Sequence, residues 1–334
     1  MTTNNNFDRM DYGTSIEDAS DALAWIVDQG SQMGQYIAGA FTDHHDGFAT
    51  TNPANGEVLA LITQASGGDV DQAVTAAAGA QPEWAEMPDH QRARILYAIA
   101  RLMQKNARLF ALLETLDNGK PIRESRECDI PQAVRQFEYH AGLAQLKGAQ
   151  WPEVQPLGVC GQIIAWTFPL LMLASRVAPA IAMGNACVVK PAGQTSLTAL
   201  LFAEICDQAG LPKGVLNIVT GDHTVDEMLA AHPGVDHLSF GGDATVGRQL
   251  CQISAGSGKG LSLELSGPSA YLVFEDADLD SAVAGLVEAI WPNQGQIGCA
   301  GARLLVQESI AEPFYGKLRR QMDRLRVGNP LDIG

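Results

Sequence analysis

The segment NQGQIGCAGAR, residues 293 to 303, is made of small and flexible residues with one thiol, Cys299, in its middle. A thiol placed there is a candidate nucleophile. Acyl chemistry at a thiol needs an activated nucleophile, oxyanion donors and a base within reach of one bound carbonyl. No Lys, Arg or His lies beside Cys299 in the chain to favour its thiolate. Two glycine clusters suggest a second chemistry, the cradling of phosphate by backbone N–H groups. In GSGKG, residues 256 to 260, the strand-like LSLELSG follows and no helix opens, so a surface turn is expected. GGDATVGR, residues 241 to 248, is better placed: VDHLSF reads as a strand and ATVGRQLCQIS as a helix, leaving free N–H groups at the strand's carboxyl end. It fails as a Walker loop because Arg248-Gln249 stands where Lys-Ser/Thr should be, and the fingerprint G-x-G-x-x-G after a first strand is absent. Six cysteines (Cys128, Cys160, Cys187, Cys206, Cys251, Cys299) are scattered singly, without C-x-x-C or a His at metal spacing, so a reducing compartment and no metal are expected.

Charge narrows the partners. The 22 Lys and Arg against 38 Asp and Glu give a net charge of −16, which repels phosphate backbones and anionic lipid, so neither nucleic acid nor a membrane surface is an expected partner. The opening MTTNNNFDRMDYG lacks a basic segment followed by an apolar one, and no apolar run approaches membrane-spanning length; a cytoplasmic location is the expectation. With 46% hydrophobic residues over 334 positions, the chain can bury at least one large core.

The elements that would position these groups change texture along the chain. After a polar start that is expected to be mobile, SIEDASDALAWIVDQGSQM reads as a first helix, capped by Ser15 or Asp18 and apolar through Leu23, Trp25 and Ile26. NPANGEVLALITQA carries an Asn-Gly turn between strands. Three helical stretches follow: GGDVDQAVTAAAGAQPEWAEM, then DHQRARILYAIARLMQKNARLFALLETLDNGKP, ending at Asn118-Gly119, then DIPQAVRQFEYHAGLAQ. From LGVCGQIIAWTFP onward, short apolar runs alternate with helix-length stretches, which predicts an α/β fold with a doubly wound parallel sheet covered on both faces.

Taken together, these motifs resemble those of the aldehyde dehydrogenase superfamily from about residue 50 to the last residue. ETLDNGKPIRES, LGVCGQIIAWTFPLLM, PAIAMGNACVVKPAGQTSLTAL, AGLPKGVLNIVTG, LELSGPSAYLVFEDADLDSAV and NQGQIGCAGARLLVQE stand in that family's order and at roughly its spacing. The opening MDYGTSIEDASDALAWI and the short link before LGVCGQ look most like aldehyde dehydrogenase family 16. The resemblance implies a Rossmann-like fold with N-terminal helices. Residues 1–45 form an N-terminal helix and extension. An NAD(P)-binding domain spans 46–267, helical over 66–150 and Rossmann-like over 157–267. Residues 268–334 begin a catalytic domain that is incomplete here, because family members continue well past RVGNPLDIG. The family's usual dimer contact uses later parts of that domain, so a homodimer belongs to the full-length form.

The implied chemistry is oxidation of a small aldehyde to a carboxylic acid with NAD or NADP. A thiolate attacks the aldehyde, hydride leaves for the dinucleotide, and a glutamate activates the water that hydrolyses the thioester. The glutamate of L-E-L-G-G-K matches Glu264. The oxyanion asparagine of W-N-F-P falls at Thr167, and one such donor is worth roughly a hundred- to a thousandfold in rate. The nucleophile falls at Gly298, with Cys299 one residue late; in a strand-like loop that slip turns the sulfur to the opposite face, whereas a turn relaxes it. Lys190 matches the lysine that holds the adenosine ribose, while the acidic residue usual three positions on is Gly193. Asp243 replaces the serine that touches the pyrophosphate, where it serves as a helix cap or faces a phosphate of like charge. Ile163, Ile164, Trp166, Gly221, Phe240, Gly242, Val246 and Leu265 complete the implied cofactor site. Weak dinucleotide binding without preference, and impaired or absent activity, follow as expectations. Two other readings stay open: an inactive protein that keeps the fold for association, and a cofactor-independent thiol esterase using Cys299 with Glu264.

Overall fold

Residues 15–333 are described by a computed structural model; the polar opening up to residue 14 lies outside them. Helix α1 (Ser20–Asp28) starts beside Asp18, whose carboxylate accepts the Ser20 N–H at 2.9 Å. Ser15 is no cap: its carbonyl accepts the Ile333 N–H, and the neighbouring Ile16 bridges to Asp332. Ala22 and Ile26 are buried, and Leu23 faces solvent instead of joining the apolar face. Three two-residue strands follow: β1 (Gln32–Met33), β2 (Tyr36–Ile37) and β3 (Ala40–Phe41). The Asn-Gly turn appears where expected, between the antiparallel β4 (Gly47–Thr51) and β5 (Val58–Thr63), with Gly56 at φ 76.

Helix α2 (Gly67–Glu86) opens on a reciprocal cap between Ser66 and Asp69. The long helical stretch after it is two helices, α3 (Asp89–Lys105) and α4 (Ala107–Asn118). Asn106 leaves helical geometry at φ −100 and ψ 17, and its side-chain amide donates to the Leu102 carbonyl at 2.8 Å. Gly119, at φ 81, ends α4 as the Asn-Gly signal requires. The short α5 (Ile122–Glu124), a π-helical turn at Ser125–Asp129 and α6 (Ile130–Gln150) complete this helical layer.

The alternating region folds as β6 (Val159–Ile163), α7 (Pro169–Ala182), β7 (Ala186–Lys190), α8 (Leu197–Gln208), β8 (Leu216–Ile218), α9 (His223–Ala231), β9 (His237–Gly242), α10 (Ala244–Ser254) and β10 (Gly260–Leu265). The sheet order is β10-β9-β6-β7-β8-β2-β3. Strands β10 through β8 run parallel, and β2 and β3 extend the edge antiparallel. β6, β7 and β8 are buried along their whole length, which explains their unbroken apolar character. The N-terminal helix and extension contribute Ala22, Ile26, Met33 and Tyr36 to this core. Strands this short leave no readable pattern in sequence. Chain order reverses at β6, with β7 on one side and β9 on the other, and such a switch opens a crevice at the strands' carboxyl ends.

A smaller unit follows. β11 (Ala270–Val273) and β12 (Arg303–Val306) pair in parallel, joined through α11 (Leu279–Ile290) and followed by α12 (Ala311–Met322). Val273, Val283, Leu286 and Phe314 form its core on one face, and Leu272, Phe274 and Leu305 lie exposed on the other. The GSGKG segment is a surface turn whose Lys259 ammonium donates to the carbonyls of Ala230 and His232 at the end of α9, which rules it out as a phosphate loop here.

Two buried carboxyls anchor α4. Burial pushes Glu114 up to about 8 and Asp117 up to about 7, although Asp117 accepts the Thr50 hydroxyl at 2.6 Å and the Leu197 N–H at 3.0 Å. Both hold protons in the folded state that an unfolded chain releases near the ordinary carboxyl range. The folded state therefore binds more protons between those limits, and stability falls as pH rises through that window. The melting temperature is expected to drop by about 5 °C or more between about pH 5 and pH 8, with a shallower slope in Glu114→Gln. A flat or rising profile there would show both groups ionised in the fold.

Candidate active site

A cleft of about 1060 Å³ opens at the carboxyl ends of β6 and β9, at the chain reversal. The end of β6 contributes Ile163, Ile164, Trp166 and Thr167; β7 and its following loop contribute Lys190 and Gly193. The β9–α10 junction supplies Phe240, Gly242, Asp243 and Val246, β10 supplies Glu264 and Leu265, and the loop after α11 supplies Gly298 and Cys299. Gly221 is the exception among the sequence-derived residues. It lies behind the wall, with its carbonyl oxygen 3.3 Å from where a Cβ on Gly193 would stand.

The thiol loop is a turn and not a strand. The Ala300 N–H donates to the Ile297 carbonyl at 3.2 Å, with Gly298 and Cys299 as its central pair, and both line the cleft. The opposite-face argument against Cys299 therefore does not apply. Position 298 is crowded from across the cleft: a Cβ there would lie 3.0 Å from the Cβ of Ser266. The loop is held from below. Asn293, fully buried at φ 51, donates its side-chain amide to the Thr167 carbonyl at 2.7 Å and to the Gln296 carbonyl at 3.1 Å, and its N–H to Glu124 at 2.7 Å. Gln294 donates to the Gly119 carbonyl, and Asn118 to the Trp166 carbonyl at 2.7 Å. Glu264 is largely exposed, and one carboxylate oxygen is held 3.0 Å from the guanidinium of Arg176, a buried residue of α7 whose Nε has no partner.

At the other end, Asp243 caps α10. It accepts the Thr245 N–H at 2.6 Å, and that bond holds its carboxyl below the usual carboxylate range. The same side chain lines the cleft, so the helix N-terminus meets an anionic ligand with its own carboxylate already in place. Lys190 is paired with Asp226, from the first turn of α9, at 2.9 Å, and both are buried. Burial raises the Asp226 carboxyl and the lysine partly offsets it. Among the described residues, no group of three or more His, Cys, Asp or Glu is placed to hold a metal, and no helix is long and apolar enough to cross a membrane.

Sequence reasoning missed Arg176, Asp226, Ser266 and Asn293. A signal existed for the first, a single cation in the apolar PLLMLASRVAPAIA. Asp226 reads as an ordinary first-turn helix acid, and nothing near Ser266 announces its contact with position 298.

The cleft's size, apolar walls, paired lysine and glycine-lined β9–α10 turn are compatible with a dinucleotide, and the Asp243 carboxylate stands at that turn. The sequence profile of the aldehyde dehydrogenase family matches residues 41–334. The chain is similar to a candidate aldehyde dehydrogenase of Burkholderia cenocepacia at 38% identity, covering 90% of this chain and 64% of that one, with a TM-score of 0.85. It is similar to a Bacillus cereus aldehyde dehydrogenase solved with NAD+, at 33% identity over 96% and 67% of the two chains and a TM-score of 0.89. A cysteine-to-alanine variant of Pseudomonas syringae aldehyde dehydrogenase C, solved with NAD+ and octanal, matches at 30% identity, 95% and 65% coverage and a TM-score of 0.86. The chain thus spans about two thirds or slightly less of these relatives' length.

Proposed function

The chain belongs to the aldehyde dehydrogenase family, and on that premise we propose that its cleft is an NAD(P) and aldehyde site in which acyl chemistry is impaired. The carrying observation is that one cleft at the sheet's reversal gathers Lys190, Thr167, Glu264 and the Gly298-Cys299 turn. A bound nicotinamide dinucleotide would supply the hydride acceptor. Lys190 would hold its ribose, and Ile163, Trp166, Phe240 and Val246 its apolar surfaces. Glu264, oriented by Arg176, is the group that would take a proton from water. Two parts of the constellation are absent in chemical terms: Gly298 has no nucleophile, and Thr167 has no amide to hold an oxyanion. Within the family, the opening MDYGTSIEDASDALAWI supports a place nearest family 16.

A second reading has its own observation. Cys299 is exposed and lines the cleft together with Glu264, which supports a thiol esterase that needs no cofactor. The impaired-dehydrogenase reading is preferred because it also accounts for the cofactor end. Its test is dinucleotide binding. Titration calorimetry should show weak NAD binding that tightens about three- to tenfold in Asp243→Ser, as the capping carboxylate gives way to a neutral cap. Tight binding that the substitution leaves unchanged would mean that the phosphates pass elsewhere.

A further inference from the structure

We infer that Asp226 makes the lysine end of the cleft selective for a dinucleotide with a free adenosine 2′-hydroxyl, NAD, over one that carries a 2′-phosphate, NADP. This rests on reading the cleft as a dinucleotide site. From Gly193 alone, no preference was expected; the acidic group comes from a different element.

Three observations carry the assignment. Asp226 is 6% exposed yet lines the cleft, and its carboxylate stands 2.9 Å from the Lys190 ammonium at the end of β7. A buried carboxylate beside a ribose-binding ammonium can accept hydroxyls of a vicinal diol while the lysine donates to the same oxygens. The position three residues after Lys190 carries no acid and is tight: a Cβ on Gly193 would lie 3.3 Å from the Gly221 carbonyl oxygen, which would have to give by a few tenths of an ångström, and in ordinary contact with the Phe48 ring at 3.6 Å. Finally, the local charge is unfavourable to phosphate. Around this end β7 gives one cation, Lys190, while α9 and its cap give Asp226 and Asp222, with His223 between them and the neutral Phe48 and Gly193 opposite. A 2′-phosphate, carrying about −1.5 to −2, would have to draw Lys190 away from its buried partner and face two carboxylates. A hydroxyl asks for neither.

The experiment is calorimetric titration of the intact chain with NAD and NADP, and with AMP and 2′-phospho-AMP, which isolate the adenosine end. The wild type should bind NAD at least about tenfold tighter than NADP, and AMP tighter than its 2′-phosphorylated form. Asp226→Asn frees Lys190 for the phosphate and should bring the NAD-to-NADP ratio to within about threefold, mainly by tightening NADP. Asp243→Ser should tighten both and leave the ratio alone. Equal or inverted affinities in the wild type, or an unchanged ratio in folded Asp226→Asn, overturn the assignment while leaving the dinucleotide site standing. Absence of binding by either cofactor at millimolar concentration removes the site itself and this assignment with it. Should Asp226→Asn not fold, the wild-type ratio decides alone.

Discussion

Lys120→Met is expected to destabilise the protein by about 3–5 kcal/mol in denaturant titration. Lys120 is fully buried, its ammonium pairs with the buried Asp129, and it lies 4.0 Å over the Phe168 ring. Burial raises the Asp129, Glu114 and Glu124 carboxyls, and the Lys120 charge opposes that rise at each, at Glu124 alongside the Asn293 N–H bond and Arg123. Removing it leaves an unpaired carboxylate in the interior, whose desolvation is no longer offset. Removing both partners should be far milder: Lys120→Met with Asp129→Leu should recover most of the loss, because no charge is then stranded. A loss under about 1 kcal/mol in the single variant would mean that Asp129 is already protonated in the fold. The site should feel the change too. Lys120 touches Phe168 next to Thr167, and Gly119 and Asn118 receive and give the bonds that fix Gln294 and Trp166.

That turn shows how far sequence reading reached. ETLDNGKP was readable as a helix end, because Gly after Asn signals a left-handed stop and Pro121 forbids continuation. Its role as the floor of the site was not, because the contacts join residues far apart in the chain: Asn118 to Trp166, and Gly119 to Gln294. The same division runs through the fold. β6, β7 and β8 were legible because burial on both faces demands unbroken apolar runs, and the parallel order followed from alternation with helices. The break at Asn106 was not legible, since LMQKNARLF keeps helical composition across it and only one residue's dihedrals depart. At the site, the structure brings the motif-matching residues together along one cleft, apart from Gly221. Of the groups that act on them from other elements, Asp226 on Lys190 reads as an ordinary first-turn acid, and Arg176 on Glu264 shows only as a lone cation in an apolar helix with nothing to name its partner.

Restoring a nucleophile is expected to need two substitutions and to respond to a third. A burst of p-nitrophenolate from p-nitrophenyl acetate reads thiol acylation without any cofactor, and peptide mass mapping of the acetylated protein distinguishes the exposed Cys128 and the half-buried Cys251 from the intended acceptor. The wild type and Cys299→Ala should be indistinguishable in this assay. In the Cys299→Ala background, Gly298→Cys alone should acylate slowly, because its Cβ would stand 3.0 Å from that of Ser266 and the turn must shift to admit it. A displacement of about 1 Å is worth up to about a hundredfold in rate, so adding Ser266→Gly should accelerate the burst by at least about tenfold. Thr167→Asn then supplies the amide for the developing oxyanion and should add about a hundredfold. The geometry allows that substitution, since the loop is held through the Thr167 backbone carbonyl by Asn293 and not through the threonine side chain. Each step isolates one part: space for the sulfur, then charge stabilisation. Equal rates with and without Ser266→Gly would show that the turn adapts freely and that Ser266 is no obstacle. A wild-type burst that Cys299→Ala abolishes would move the nucleophile to Cys299, favour the esterase reading, and make the vacancy at Gly298 irrelevant to the chemistry.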